Sequence, residues 1–344
     1  MKVDRLFGNL VKITFLVFIC SYAFYPNLLS AKPTILRYTN FFPPTHAQSE
    51  LAESWCHEVE KQTEGRVKVQ YYAGQTLTNA KQTYDSVARG IADVGLSCLA
   101  YTRGRFPVMS AIDLPFGYPS GSIATEVSNY VYDKFQPKEF DETKVMFLHA
   151  HGPGFIHTRK KPVHKLEDLQ GLKIRSTGLS AEVVIALGGT PVTMPMPECY
   201  QSLQKGIVDG TASPFEAMKG FKLAEVVDFT TYAAPMSYTT AFFVVMNKNK
   251  WNALDEKDQR IITAINKDYA VKHGKAWDQI DQDGYRYLLL QGGTIIGLEA
   301  KESARWEKAV EPLFNKYVDD MKKINIDGRP IIDAIRSYLK ENNN

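Results

Sequence analysis

The sequence predicts an α/β fold of two similar lobes with a cleft between them. Segments with the pattern of strands alternate with segments with the pattern of helices, which indicates a largely parallel sheet covered by helices on both faces. Part of this unit recurs 116 residues further along the chain. Asp255 caps a helix whose first break is Gly274 and which can continue to Leu290, before Gly292-Gly293. Its full length would be roughly 54 Å, longer than a lobe of this size is wide. We therefore expect that helix to brace both lobes.

Residues 1–31 have the pattern of a secretory signal peptide. Lys2, Arg5 and Lys12 precede an apolar run at residues 13–25, and small residues at Ser30–Ala31 offer a cleavage site. The run is shorter than the roughly 20 residues that a spanning helix needs. We expect cleavage near Ala31 and export of the mature protein; an uncleaved anchor is the alternative.

The charge balance of the remaining chain argues against nucleic acid as a partner. Without residues 1–31 the sequence has 38 basic and 37 acidic side chains, a net charge of +1. A protein that binds nucleic acid is expected to carry a clustered basic face. About 313 residues remain, which is enough for two domains.

No cofactor or metal is expected from the motifs. The sequence has no dinucleotide fingerprint, phosphate loop, nucleophile elbow or His-Glu-x-x-His motif. His149, His151 and His157 could share a metal, but hydrogen-bonded histidines are the favoured interpretation. Three cysteines remain in the mature chain, too far apart for a zinc motif or a redox pair. We expect Cys56, Cys98 and Cys199 to be small buried side chains. The alternative is one disulfide between two of them.

The first unit of the chain begins with a strand and continues as two helices and two further strands. The first helix presents Leu51, Trp55 and Val59 on one face. The predicted segments are strand 35–39, the turn 40–45, the helix that Gly65 ends, strand 66–72, helix 78–89 and strand 91–97.

The repeat consists of a helix ended by glycine, then a strand, then a polar residue at the carboxyl edge of the strand. Six of fourteen positions match, against roughly one expected from ordinary residue frequencies. If each lobe holds one copy, Ser97 and Ser213 lie on opposite walls of the cleft. The matching residues are Tyr84, Ser86, Gly90, Ile91, Asp93 and Ser97 with Tyr200, Ser202, Gly206, Ile207, Asp209 and Ser213.

The rest of the chain connects and covers these units. Residues 152–154, Gly-Pro-Gly, are a natural crossing point into the second lobe, and two later strands are expected to bring the chain back. The predicted segments are helix 122–135, strands 145–150, 229–234 and 241–246, and two or three amphipathic helices within 303–340.

Arg175 is the strongest candidate for a functional residue. Residues 172–175 alternate as a short strand, and a helix at 179–187 follows the break at 176–178. Arg175 therefore lies at the carboxyl end of a strand, the edge at which open α/β sheets bind ligands. Its planar guanidinium matches a carboxylate with two parallel hydrogen bonds. The alternative is an ion pair with a neighbouring Asp or Glu.

Four runs resemble the periplasmic solute receptors of tripartite ATP-independent (TRAP) transporters, of the dicarboxylate-receptor type. They are residues 166–175 (LEDLQGLKIR), 198–210 (ECYQSLQKGIVDG), 88–93 (ARGIAD) and Thr45-His46 with the helix that follows. The resemblance covers about residues 35–318. It implies a periplasmic-binding-protein clamshell whose strands cross at the hinge, with a long helix behind both lobes.

The resemblance also implies boundaries, partners and a location. Lobe I is expected to comprise residues 32–152 and 240–279, and lobe II residues 153–239 and 280–344. The implied function is a periplasmic receptor, not an enzyme, that closes on a small organic acid and delivers it to the membrane subunits of a TRAP transporter. We expect a monomer.

Position by position, the resemblance makes Arg175 the carboxylate-binding arginine and places Ser213 where many relatives have Asn. Aromatic residues replace polar residues of sugar-acid receptors at Phe41 or Phe42 and at Phe155, which suits a monocarboxylate with an apolar or aromatic body. A C4-dicarboxylate, a sugar acid, or a periplasmic enzyme or sensor-linked binding protein on the same scaffold remain alternatives. The further candidate ligand-binding residues are Ser97, Cys98, Tyr101, Met196, Phe215 and Tyr238.

Overall fold

The computed structural model describes residues 32–234 and 237–342. The predicted signal peptide, residues 1–31, lies outside the described residues. Within the described ranges, no helix is both long enough and apolar enough to cross a lipid bilayer.

Eleven strands form two sheets in the described part of the chain. The first sheet has the order β2-β1-β3-β10-β4, and the second has the order β11-β9-β5-β8-β6-β7. The strands are β1 (Thr34–Asn40), β2 (Val67–Tyr72), β3 (Val94–Cys98), β4 (Thr143–Ala150), β5 (Gly154–Thr158), β6 (Lys173–Ser176), β7 (Thr190–Thr193), β8 (Gly210–Pro214), β9 (Phe229–Tyr232), β10 (Ala241–Asn247) and β11 (Thr294–Gly297).

Helices cover both sheets, and the longest is behind them both. The α-helices are α1 (Ala47–Gln62), α2 (Thr83–Ala88), α3 (Gly121–Phe135), α4 (Ser180–Ala186), α5 (Cys199–Gln204), α6 (Glu216–Gly220), α7 (Lys248–Asn252), α8 (Glu256–Leu290), α9 (Ala300–Val310), α10 (Pro312–Lys323) and α11 (Arg329–Asn342). We call the elements around the first sheet lobe I and those around the second sheet lobe II.

Each sheet is parallel except for one strand that the chain contributes on its way between the lobes. In lobe I, β10 is antiparallel to β3 and β4, while β1, β2 and β3 are parallel. In lobe II, β5 is antiparallel to β8 and β9 in the same way. The prediction of two α/β lobes with strands crossing at the hinge is confirmed, and the largely parallel sheets each contain this one reversed strand.

The predicted repeat has the same hydrogen bonds in both lobes. The carboxylate of Asp93 accepts the backbone N–H of Arg37 at 2.8 Å, and the carboxylate of Asp209 accepts that of Lys173 at 2.8 Å. The backbone N–H groups of the two aspartates donate to the carbonyl oxygens of the same two partners. Each aspartate thus fixes the start of its strand against the neighbouring strand. By this correspondence Arg175, two residues after Lys173, occupies the place of Thr39 in lobe I.

The long helix α8 contacts both lobes, as predicted. It packs against α1 and α3 of lobe I and against α6 of lobe II. Gly274 does not break it: a Cβ there would lie 3.1 Å from Cα of Ser122, so the glycine allows close packing on α3. At Gly284 a Cβ would lie 1.9 Å from the carbonyl oxygen of Phe215, which allows the N-terminus of α6 to rest on the helix. Thirty-five residues give α8 a length of roughly 52 Å.

The last helix packs on lobe I. The rings of Tyr130 in α3 and Tyr338 in α11 lie 4.9 Å apart, and the Tyr338 hydroxyl bonds to Glu126. The predicted lobe boundaries, which assign residues 280–344 to lobe II, stay a prediction. The contacts of Tyr338 concern α11 alone, which packs against lobe I. The buried core accordingly runs between the lobes, and Trp306 of α9 lies in the same apolar cluster as Ile112 of lobe I.

Candidate functional site

A cavity lies between the two sheets, at the ends of strands from both lobes. It encloses about 370 Å³ of space not filled by protein atoms, including the part open to solvent. The lining residues are Phe41, Phe42, Cys98, Tyr101, His151, Arg175, Thr177, Met196, Ala212, Ser213, Pro214, Glu216, Phe221, Tyr238, Thr240 and Phe242.

Arg175 is a buried cation in this cavity. It lies in β6 and is only 3% exposed. Its Nε donates to the carbonyl oxygen of Met194 at 2.9 Å, and one terminal nitrogen donates to that of Ala212 at 3.3 Å. Among the described residues, no carboxylate oxygen lies within 4.0 Å of the guanidinium. The predicted alternative, an ion pair with a neighbouring acid, is therefore absent from the described part of the chain.

The surroundings keep this guanidinium charged. Burial acts to lower the pKa of Arg175, but its net pKa is raised above the ordinary value, and an arginine keeps its proton at neutral pH in any case. Burial also raises the pKa values of Tyr101 and Tyr238, so both phenols stay neutral. The cavity thus combines the cationic Arg175 with neutral phenols, while the carboxylate of Glu216, also in the lining, is paired with His46.

Aromatic rings form one wall of the cavity. Phe41 and Phe42 follow β1 and stack on each other with ring centroids 4.1 Å apart. Phe41 also meets Tyr101 edge-on at 5.4 Å and lies parallel to Phe242 at 6.3 Å. These rings give the cavity an apolar wall near the cation, which an aromatic or other apolar ligand body would contact.

Two hydroxyl groups of the lining have no hydrogen-bond partner among the described residues. They are Oγ of Ser213, in β8, and Oγ1 of Thr240, just before β10. Buried hydroxyl groups are normally paired, because an unpaired one costs about 1–3 kcal/mol. Both side chains line the cavity, so a bound molecule could pair with them.

Direct hydrogen bonds join the lobes on either side of the cavity. The hydroxyl of Tyr101, in lobe I, accepts the backbone N–H of Met196, in lobe II, at 3.1 Å. On the other side Nε2 of His46 lies 2.9 Å from Oε2 of Glu216. Nδ1 of His46 accepts the N–H of Gln48 and therefore carries no proton, so Nε2 donates to the carboxylate.

Three of the predicted ligand-binding residues do not line this cavity. Ser97 faces α2 and its preceding turn, where its hydroxyl donates to the carbonyl oxygen of Ala80 at 2.7 Å. Phe155 and Phe215 pack on each other at 5.1 Å in an apolar cluster that also contains Met194, and Phe155 stacks on Tyr232. We leave these three residues out of the proposed site.

The cavity also contains residues that the sequence did not predict as ligand-binding. Thr177 follows Arg175 at the same strand end, so the edge argument could have included it. Thr240 and Phe242 lie on either side of the start of β10, where the chain returns to the first sheet, and no local pattern predicts that this point borders the cavity. His151 was considered from the sequence only as a possible metal ligand. The remaining unpredicted lining residues are Ala212, Pro214, Glu216 and Phe221.

The histidines and cysteines have separate roles. Nε2 of His157 donates to the carbonyl of Ser213 at 2.9 Å, and Nδ1 accepts from Thr230 at 2.7 Å. His149 accepts from Trp277, and His151 alone of the three lines the cavity. No group of three possible metal ligands occurs within residues 32–234 and 237–342. The three cysteines are buried and free: Cys56, Cys98 and Cys199.

Two α/β lobes with a cation in a small cavity between them have the architecture of a solute-binding protein. The chain belongs to bacterial extracellular solute-binding protein family 7, whose family model matches residues 38–320. The resemblance to TRAP solute receptors stated from the sequence is thereby confirmed. Members of this family bind solutes outside the cytoplasm and are binding proteins, not enzymes.

Several known proteins are similar over almost the whole chain. A TRAP solute-binding protein from Rhodoferax ferrireducens, in complex with copurified benzoate, has 28% identity and a TM-score of 0.85 over 90% of this chain and 98% of its own. A marine metagenome TRAP solute-binding protein specific for aromatic acids, in complex with metahydroxyphenylacetate, has 28% identity and a TM-score of 0.85 over 90% and 100%. The C4-dicarboxylate-binding periplasmic protein of Rhodobacter capsulatus is 26% identical over 99% of this chain and 100% of its own.

Proposed function

We propose that this protein is the receptor of a TRAP transporter for a small monocarboxylic acid with an aromatic body. The observation that carries the proposal is the Arg175 guanidinium, buried beside aromatic rings and without a carboxylate partner among the described residues. A buried charge without its counter-ion is costly. A bound carboxylate would supply that counter-ion, while the rings of Phe41 and Phe42 would cover the ligand body.

Hinge closure follows from the same energetics. In an open form Arg175 would be hydrated, and closing the lobes would remove that water. Closure is then favourable when the ligand replaces the lost interactions, so the ligand shifts the population towards the closed form. The Tyr101–Met196 and His46–Glu216 hydrogen bonds would form in the same step, because each joins the two lobes.

An aromatic acid fits this lining better than a sugar acid does. A polyhydroxylated ligand needs a polar partner for nearly every hydroxyl group. The lining contains four phenylalanine rings, and two of its polar groups, those of Tyr101 and Glu216, are already engaged in hydrogen bonds between the lobes. The similarity to receptors solved with benzoate and with metahydroxyphenylacetate supports the same ligand class.

The further elements of the proposal concern the receptor's surroundings. We propose that residues 1–31 direct export and are cleaved near Ala31, that the mature receptor acts in the periplasm as a monomer, and that it delivers its ligand to the membrane subunits of the transporter unchanged. A receptor without enzymatic activity leaves its ligand chemically unchanged. Mass spectrometry of the ligand after incubation with the protein would check this.

A titration of purified mature protein tests the site. A thermal-shift screen of aromatic monocarboxylates, dicarboxylates and sugar acids first identifies ligands, because a ligand that binds only the folded protein raises the unfolding temperature. Calorimetry then compares the best ligand with wild type and Arg175→Ala. We expect a loss of about 2–5 kcal/mol, roughly 30- to 5000-fold in affinity.

The matched control is Arg286→Ala, because Arg286 is an exposed arginine paired with Asp283 on the outer face of α8. We expect its affinity to match wild type. An unchanged affinity in Arg175→Ala, with a carboxylate as ligand, would remove the proposed site. If only sugar acids raise the unfolding temperature, the ligand class is a sugar acid and not an aromatic acid.

A further inference from the structure

His151 lies where the chain leaves the first sheet, one residue after β4. Its side chain is buried and lines the cavity that holds Arg175. The ring meets Tyr238 edge-on with centroids 5.7 Å apart and Phe242 at 6.2 Å. Its backbone carbonyl accepts from the hydroxyl of Thr239. Both the backbone and the ring of His151 are therefore held in one position.

The position of the proton on this ring follows from its hydrogen bond. Nδ1 lies 2.6 Å from the carbonyl oxygen of Gly152. A carbonyl oxygen only accepts, so Nδ1 must carry the proton and donate it. Burial lowers the pKa of His151 to about 4, and the charge of Arg175 acts in the same direction. The ring is thus neutral near pH 7, and Nε2 presents a lone pair.

That lone pair has no hydrogen-bond donor among the described residues. The only hydrogen bond of the imidazole within these residues is the one to Gly152. Two neutral hydroxyls with unused hydrogen-bonding capacity, Ser213 and Thr240, line the same cavity. They can donate to a carboxylate at Arg175, whereas Nε2 can only accept. The cavity therefore combines a site for an anion with a separate acceptor.

We propose that His151 is a specificity residue whose Nε2 accepts a hydrogen bond from a hydroxyl group of the ligand, so that this receptor prefers hydroxylated aromatic acids to their unsubstituted parents. The inference rests on the proposed function, which places the ligand carboxylate at Arg175. A ligand without the hydroxyl leaves a buried acceptor unpaired on closure, and sites that hydrogen-bond a ligand hydroxyl discriminate strongly against analogues that lack it.

Matched ligands test the preference by calorimetry near neutral pH. The probes are benzoate with ortho-, meta- and para-hydroxybenzoate, phenylacetate with mandelate, and the methoxybenzoates, which have similar oxygen positions but no proton to donate. We expect at least one hydroxylated acid to bind about tenfold or more tightly than its parent, a difference typical of one additional buried hydrogen bond. We expect its methoxy analogue to bind no better than the parent.

Two variants assign the preference to His151. His151→Phe removes the acceptor and keeps a ring of similar shape, so we expect the ratio between hydroxylated acid and parent to fall to about twofold or less while the parent still binds. His151→Gln retains an acceptor and should keep most of the ratio. Thermal unfolding with each parent acid shows whether both variants fold and still bind.

The outcomes separate the two proposals. If aromatic acids bind through Arg175 but no hydroxyl improves binding, or if the ratio survives in His151→Phe, the inference about His151 is overturned and the proposed function stands. If no aromatic acid binds the wild type, or if Arg175→Ala binds as tightly as wild type, the proposed function is overturned and the inference with it.

Discussion

The imidazole of His46 donates a hydrogen bond to the carboxylate of Glu216 across 2.9 Å, and the two residues belong to different lobes. His46 precedes α1 in lobe I, and Glu216 begins α6 in lobe II. Both side chains are almost fully buried. In an open form each group would be hydrated instead. The bond therefore stabilises the closed form specifically, without requiring contact with the ligand.

Breaking this bond is expected to weaken ligand binding. His46→Asn keeps a side chain that can cap α1, since Asn is among the preferred N-cap residues, but is too short to reach Glu216. A buried carboxylate without its partner costs about 1–3 kcal/mol, so we expect an affinity roughly 5- to 150-fold lower with little change in the stability of the ligand-free protein. Calorimetry and thermal unfolding measure the two quantities.

The control for that variant is His57→Asn, because His57 is an exposed histidine on the outer face of α1. We expect its affinity to equal that of wild type. Equal affinities in His46→Asn and His57→Asn would mean that the His46–Glu216 bond does not contribute to closure.

The second hydrogen bond between the lobes gives a parallel prediction. Tyr101→Phe removes the hydroxyl that accepts the N–H of Met196 and leaves that N–H unpaired in the closed form. We expect a loss of about 1–2 kcal/mol in binding, roughly 5- to 30-fold, with the ring contact to Phe41 retained. Tyr232→Phe, at a half-exposed ring outside the cavity, is the control. A titration in which both variants bind alike would refute this role of the Tyr101 hydroxyl.

Close packing of α6 on the long helix predicts a steric effect. In Gly284→Ala the new Cβ would lie 1.9 Å from the carbonyl oxygen of Phe215, a backbone atom that cannot rotate away. We expect destabilisation of about 1–3 kcal/mol, because overpacking outweighs the gain of about 1 kcal/mol that alanine brings to a helix interior. Urea unfolding gives this free energy.

Gly297→Ala is the matched control for Gly284→Ala. Nothing lies within 4 Å of a Cβ at Gly297, and its backbone is not left-handed. We expect its free energy of unfolding to stay close to that of wild type. A stability of Gly284→Ala equal to that of Gly297→Ala would show that α6 moves aside freely.

Acid is expected to destabilise the protein through His157. Burial lowers the pKa of His157 from 6.5 to about 4. Because this pKa is lower in the folded protein, the unfolded chain takes up the proton first as the pH falls. The stabilising contribution of neutral His157 is therefore fully present above pH 6.5 and is lost as the pH falls through about 4. His157→Gln, which keeps one donor and one acceptor but does not titrate, should lose about 2–3 kcal/mol less than wild type between these pH values.

Urea unfolding of both proteins at each end of this pH range measures that difference. The other buried histidines contribute equally in both proteins and cancel in the comparison. If wild type and His157→Gln lose stability in parallel, the titration of His157 is not the cause.

Local signals were sufficient for most elements and for Arg175. The helix α8 was predicted almost to the residue because Asp255 marks its start and Gly292-Gly293 its end. The strand β5 was not predicted, because five residues carry too little pattern and its partners β8 and β9 lie far along the sequence. The helix predicted at 78–89 is confined to α2, because residues 78–82 are held in a turn by side-chain bonds such as Thr39–Thr78.

Ser97 illustrates why a strand end does not by itself identify a ligand contact. Successive side chains of a strand point to opposite faces. Ser97 faces the turn before α2, and its neighbour Cys98 faces the cavity. Its counterpart in the repeat, Ser213, does line the cavity. Equivalent positions in the repeat therefore do not guarantee equivalent contacts with the cavity.

The sequence by itself determined the two α/β lobes, the repeat, the bracing helix and the arginine at a strand end, because each depends on local periodicity or on a short motif. Only the tertiary structure decided which side chains share the cavity with Arg175 and which bonds join the lobes. His151 follows the end of β4, and Thr240 and Phe242 lie on either side of the start of β10. Contacts of that kind depend on how distant segments pack, and no local pattern in the chain encodes them.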